Sequence, residues 1–329
     1  MIVRLKSALR RRLSRSVTSA IASPQPGGGL GGPSLLRTRS QAGDGVCLIT
    51  MARDEPEFLT HWIWHYSRSL DRPKFILVDD ASEPGMIEGL RACFPQADLD
   101  VIRLPEGPFA DQYKSNALSA LALIAVERFA VVIATDSDEI VMPIGADRDG
   151  DLFELLRAAP MPFAAPIGVA PIQIAGTEPP FDPLQPVGAQ RSVGQLRSAS
   201  CKPCIWQGEP WLFSPGQHGL RQRRAPIFPR LALVHLKYVD AELLAARQEL
   251  RGSREMSNDQ EDAQARHWRQ RPATIRRLPL FTEAADFLDA PRLTEAIPGY
   301  LERHFEPWQG GYAVRSLKCI APVSLAGEL

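Results

Sequence analysis

Short apolar runs and helically spaced apolar residues take turns along much of this chain. VCLIT (46–50) is a brief apolar run closed by polar residues and predicts a buried strand. Residues 55–70 carry Phe58, Trp62, Ile63, Tyr66 and Leu70 at helical spacing. KFILVDD (74–80) predicts a second strand that ends in two carboxylates, and 84–94 predicts a helix. DVIRL (100–104) predicts a third strand, and 115–129, rich in Ala and Leu, a long helix. AVVIAT (130–135) predicts a fourth strand, with Asp-Ser-Asp-Glu directly after it.

Strands that alternate with helices imply an α/β fold with a mostly parallel sheet and helices on both faces. Ligands of such sheets bind outside the carboxyl ends of the strands. The second strand ends in Asp79 and Asp80, and the fourth in Asp136 and Asp138. Parallel strands deliver both acidic ends to one edge of the sheet. Asp79 and Asp80 each admit two roles, a helix N-cap before residues 84–94 or a hydrogen bond to a nucleotide base or ribose, and Asp79, which ends the strand itself, is the better candidate for the second.

The pattern is weaker further on. Residues 152–157 predict a short helix. Residues 160–186, rich in proline, predict irregular chain across the sheet edge, where an acceptor site would form. LALVHLKY (231–238) predicts a strand. Residues 241–270 are charged and helix-forming, and Arg247, Arg251, Arg254 and Glu261 predict a solvated helical face. Further helix is expected around 291–305. The expected division is a basic tail and linker at 1–44, a first α/β half at 45–145, a second half at 146–240 and a helical C-terminal extension at 241–329.

Composition narrows the class. The 329 residues are 44% hydrophobic and 23% charged, with a formal net charge of zero. That suits a globular protein with a large core and argues against a nucleic-acid partner, which would leave a basic footprint. Five cysteines in so long a chain argue against a disulfide framework and for a reducing, cytoplasmic setting. No apolar run approaches the length of a membrane span. The tail carries bases from Arg4 to Arg39 against one acid, Asp44. It lacks the apolar core of a secretory signal, and its charge suits a peripheral electrostatic contact with an anionic inner-membrane surface.

Asp136, Asp138 and Glu139 crowd three carboxylates into four residues. Such crowding raises at least one pKa unless a cation relieves it. A hard divalent ion, Mn2+ or Mg2+, takes oxygen ligands and leaves room for diphosphate oxygens. Glu209, between Trp206 and Trp211, is the candidate for a catalytic carboxylate base. The two tryptophans suit either stacking on sugar rings or core packing. Cys201, Cys204, His218 and His235 offer two thiols and two imidazoles to a zinc ion, but the two histidines lie farther apart than in a compact finger.

The strings LITMARDEPEFLTHWIWHYSRSL, FILVDDAS and ATDSDEIVMP resemble bacterial glycosyltransferases of the family 2 type, in the subgroup related to family 92. The matching residues are Arg53, Glu55, Trp62, Asp79, Asp80, Ser82, Asp136, Asp138 and Glu139. Asp54 stands where the family usually has Asn, Ile140 where it has an aromatic residue, and His65-Tyr66 reverses a Tyr-His pair. The likeness covers about 46–143. It implies a GT-A fold, an NDP-sugar donor and a divalent metal. It assigns Asp79 to the nucleotide base, and Asp136 with Asp138 to ribose and metal. Arg53 and Glu55 fall in its nucleotide-contacting loop. A later stretch, 198–219, resembles another motif of the subgroup, in which Lys202 meets donor phosphate and His218 completes the metal site. His235 competes with His218 for that role.

The expectation is thus a glycosyltransferase that carries sugar from an NDP-sugar to a carbohydrate or lipid-linked acceptor, in bacterial surface polysaccharide or glycolipid synthesis. Two alternatives stay open. A nucleotidyltransferase would share the sheet and the metal, but needs a glycine-rich loop where this chain has MARDEPE. A non-catalytic nucleotide-sugar-binding protein would share the fold without the chemistry.

Overall fold

The structure is a computed structural model that describes residues 45–107, 111–208, 212–221, 224–252, 272–308, 311–314 and 318–329. The basic tail at 1–44, Glu209, Trp211, Arg254 and Glu261 lie outside the described residues.

The expected strand and helix order appears at once. Strand β1 (Val46–Ala52) is buried at every residue. It feeds helix α1 (Pro56–Ser69), whose Phe58, Leu59, Trp62, Ile63 and Tyr66 face the core. Strand β2 (Lys74–Asp79), helix α2 (Met86–Cys93), strand β3 (Asp98–Arg103), helix α3 (Asp111–Ala125) and strand β4 (Val131–Ala134) follow. Strands β4, β1, β2 and β3 pair side by side, all parallel. The chain thus runs outward from β1 to β3, then returns to place β4 on the other side of β1. That reversal is a topological switch point, and the ends of β1 and β4 flank a crevice there.

The remaining strands extend the sheet beyond β4. They are β5 (Glu139–Pro143), β6 (Phe163–Ile172), β7 (Val193–Arg197), β8 (Ile205–Trp206) and β9 (Ile227–His235). Helix α4 (Leu152–Ala158) lies between β5 and β6, with Asp151 as its N-cap. Strand β8 runs antiparallel to both β4 and β6, while β6 also pairs with β7 and, in parallel, with β9. Strand β5 pairs antiparallel with β9, with Glu139 opposite His235. Helix α5 (Ala241–Gly252) follows. After α6 (Pro272–Ile275), α7 (Pro279–Thr282) and α8 (Leu293–His304) come a hairpin, β10 (Phe305–Trp308) with β11 (Gly311–Val314), and strand β12 (Ile320–Ser324) against β7. The fold is α/β with a mixed sheet, parallel through its first four strands.

Two expectations are corrected. Residues 160–186 were expected to be irregular, yet β6 is a ten-residue strand buried throughout. Its prolines hid it, because a proline gives no N–H to a ladder. The sheet accommodates Pro166 at a register shift between Pro166 and Ile167. Residues 241–270 were expected to present a solvated face, yet Arg247 on α5 is buried. The reason is electrostatic: its guanidinium pairs with carboxylates at the ends of β1 and β4.

No helix among the described residues is long and apolar enough to cross a membrane.

Candidate functional site

A cleft of about 640 Å³ opens at the switch point. Its walls include Arg53, Glu55, Asp80, Asp136, Asp138, Lys202, His218 and His235, drawn from five separate stretches of sequence. All eight were candidates from sequence. Asp79 is fully buried and is not on the wall. One of its oxygens accepts from Ser82 N–H at 3.0 Å, and the other lies 3.5 Å from the Arg103 guanidinium. Asp80 is the carboxylate that lines the cleft. The N-cap of α2 is Gly85, so Asp80 does not cap that helix.

The loops after β1 and β2 are tied together. Asp54 N–H donates to Ser82 Oγ at 3.1 Å, and Asp54 Oδ1 accepts from Glu83 N–H at 2.7 Å. Asp54 has φ 49 and Ala81 φ 59, both left-handed. Asn and Asp visit that region more readily than other L-residues, so Asp54 suits this turn.

The acidic turn after β4 is held from several sides. Glu139 N–H donates to Asp136 O at 3.1 Å, closing the turn. Leu236 N–H donates to Asp138 O at 2.7 Å, which brings the end of β9 against it. The outer edge of β5 is satisfied by side chains of α1. Val141 N–H donates to the Tyr66 hydroxyl at 2.7 Å, and His65 Nε2–H donates to Val141 O at 3.0 Å. The reversed His-Tyr pair thus positions β5 and the turn before it. Burial pushes the His65 imidazole down to about 4, so it is neutral in this role.

The charges pair almost completely. Asp136 meets Lys114 at one oxygen and Lys202 at the other, the latter at 2.7 Å. Gln217, at φ 59, also donates to it at 3.0 Å. Lys202 reaches Glu139 at 2.7 Å as well. Asp138 meets Arg247, and His235 Nε2 at 3.1 Å. Glu55 takes the Arg247 fork at 2.6 and 3.0 Å, Arg251 at 3.1 Å and the Ser137 hydroxyl. Burial alone would raise the pKa values of Asp136 and Asp138. Lys114 and Lys202 reverse this for Asp136, and Arg247 with His235 for Asp138, so both stay well below the usual carboxylate range. Burial likewise opposes the charge on Lys202, and Asp136 with Glu139 more than restore it.

These pairs bear on the expected metal. Among the described residues no group of three or more His, Cys, Asp or Glu side chains is placed to share an ion. Asp136 and Asp138 are neutralised by amines and a guanidinium, and the carboxylate set as arranged does not fit a divalent ion. The His218 ring turns its Nδ1–H to Ala199 O at 2.7 Å, and His235 sets its two nitrogens toward Asp138 and Ser200. The zinc set does not form. Cys201 and Cys204 are buried in the main core cluster, Cys201 accepting from Gly168 N–H at 3.1 Å. Trp206 is fully buried against Phe213, which fixes its core reading.

Sequence reading missed Lys114, Gln217, Arg247 and Arg251. Lys114 lies in the first turn of α3, which begins at Asp111, four residues before the expected start. Three crowded acids without nearby bases were themselves the signal that distant cations must arrive. Arg247 reaches Asp138 among these acids, and Arg247 and Arg251, one helical turn apart, both reach Glu55.

Comparison with known proteins gives structural likenesses alone. No family model matches the sequence, and no curated relative matches it. The fold is similar to Staphylococcus aureus TarS 1-349, at 13% identity over 78% of each chain, with a TM-score of 0.33. It is similar to the same protein in complex with UDP-GlcNAc, at 13% identity over 79% of each chain, with a TM-score of 0.30. It is also similar to a mannosyltransferase, PcManGT from Pyrobaculum calidifontis, in complex with GDP-Man and Mn2+. That likeness has 14% identity over 80% of this chain and 82% of the other, with a TM-score of 0.35. Likenesses at these scores assign neither activity nor substrate to this chain.

Proposed function

We propose that the chain is a glycosyltransferase. In this reading it moves sugar from an NDP-sugar to a hydroxyl of a carbohydrate or lipid-linked acceptor, in bacterial surface polysaccharide or glycolipid synthesis. The supporting observation is the gathering of donor-site candidates from distant stretches on one cleft at the switch point. The nucleoside lies along the ends of β1 and β2, against Arg53 and Asp80. The diphosphate faces Lys114 and Lys202, whose ammonium groups Asp136 holds in position.

Transfer breaks the bond between the anomeric carbon and the diphosphate oxygen. Negative charge grows on that oxygen, and fixed cations beside it stabilise the departure far better than mobile water does. A new bond joins the anomeric carbon to the acceptor oxygen, and the acceptor proton passes to a base. Asp138 with His235 takes that role among the described residues, while Glu209 is the sequence candidate outside them. Mn2+ or Mg2+ enters this reading only as an ion that displaces a cation from Asp136 or Asp138, and no step above runs through it.

The test is release of free NDP from a panel of NDP-sugars, with Mn2+, Mg2+ and chelator arms. UDP-GlcNAc and GDP-mannose come first, since the similar structures carry UDP-GlcNAc and GDP-Man. One donor should turn over, and Asp136→Asn should slow it by about a hundredfold, the scale of losing a charge-stabilising group. A panel with neither binding nor turnover refutes the proposal.

A further inference from the structure

Among the described residues most cations of the cleft have carboxylate partners, but two do not. Arg197 ends β7, Lys237 follows β9, and both line the cleft. Among the described residues no carboxylate lies within ion-pair distance of either. Both close on the ring of Tyr238, which also lines the cleft. The Arg197 guanidinium stands 5.0 Å from the ring centroid and the Lys237 ammonium 5.2 Å, so the two charges lie within about 10 Å of each other. Burial pushes the Tyr238 phenol up, but Lys237 and Arg197 outweigh it and bring it below its ordinary value.

We infer that Arg197, Lys237 and Tyr238 form a site for a phosphate group carried by the acceptor. Two cations lining one cleft, with no carboxylate partner among the described residues, attract an anion, and their summed charge matches a phosphate of about −1.5 to −2 better than a single carboxylate. The Arg fork can hold two oxygens, the Lys supplies a point charge, and the Tyr238 hydroxyl adds a donor. Topology favours the acceptor as the carrier. β1 and β2, where the donor nucleoside is proposed to lie, are on one side of β4, and β7 and β9 are on the other. This assignment of the carrier rests on the transfer reading above, whereas the phosphate site stands on the unpaired cations.

Calorimetry on the full chain tests it with inorganic phosphate, glycerol 1-phosphate and, as neutral control, glycerol, each with and without excess UDP or GDP. Phosphate and glycerol 1-phosphate should bind and glycerol should not. The double variant R197Q/K237Q should weaken phosphate binding by about tenfold or more, the scale of losing charged hydrogen bonds. The charge-preserving R197K/K237R should retain most of it, and UDP or GDP affinity should stay within about twofold in both, by the same scale. Equal phosphate binding by wild type and R197Q/K237Q, at matched melting temperature, overturns the site. Displacement of phosphate by UDP or GDP overturns the acceptor assignment, because the pair would then serve the donor's diphosphate. Failure of both nucleotides to bind would count against the transfer reading, and the phosphate arm is then judged by the same variant comparison.

Discussion

Arg247→Met is the perturbation that most sharply probes the charge network. The Arg247 side chain is 6% exposed, and its partners Glu55 and Asp138 are 8% and 3% exposed. Methionine keeps the apolar stem and removes the charge. Breaking one side of a buried pair costs about 3–5 kcal/mol, because the other charge is left without compensation. Two carboxylates lose their partner here, but Arg251 still reaches Glu55 and His235 still reaches Asp138. The loss therefore stays within that range rather than doubling. At about 2.1 cal/mol/K per residue, the 329-residue chain loses about 0.7 kcal/mol per kelvin near its midpoint, so the melting temperature falls by about 4–7 °C.

The same substitution has a pH signature. In the wild type the Glu55 and Asp138 values are lowered: burial opposes this, and Arg247 with its neighbours overcomes it. Their stabilisation is present above the unfolded carboxylate values of about 4 and is lost as pH falls through the folded values. Without Arg247 burial dominates and both values rise. The variant's deficit should be full at neutral pH and shrink toward pH 4. Urea melts of both proteins at several pH values provide the assay. A deficit below about 1 kcal/mol, or one that does not change with pH, refutes a buried, charge-compensated network, since only a solvated surface pair is worth so little.

Other outcomes follow from the same structure. Burial holds both His61 and His65 near 4, against an ordinary value of 6.5. Stability should be present above pH 6.5 and fall between 6.5 and 4, by up to about 2.7 kcal/mol per pH unit if both take up a proton on unfolding; a flat stability profile there contradicts this. Asp54→Asn should fold as the wild type does, while Asp54→Val should lose about 1–3 kcal/mol at the left-handed turn, read in the same melts. Lys202→Met should leave Asp136 and Glu139 undercompensated and sharply weaken NDP-sugar turnover; wild-type turnover would remove Lys202 from the donor site.

The first four strands were legible because each is a buried apolar run bounded by polar turns, and their acidic ends announced the cleft edge. Choosing Asp80 over Asp79 was not legible. Neighbouring residues at a strand end point to opposite sides, and the turn through Ala81 sets which one faces the cleft. Strand β6 was hidden by its prolines, of which Pro166 sits at a register shift while Pro171 pairs in regular register with Gly194. Arg247 was hidden because charged residues on a helix are usually solvated, and its partners lie 109 and 192 residues away in sequence. Only the sheet order brings them together.

Binding of UDP and GDP to the wild type, Asp80→Asn and Asp136→Asn, followed by calorimetry, tests the central claim most directly. The account predicts saturable binding of at least one nucleotide at one site per chain, weakened by about tenfold or more in either variant when each protein is measured well below its own melting temperature. Neither nucleotide binding to the wild type, or binding that both variants retain in full, would contradict it.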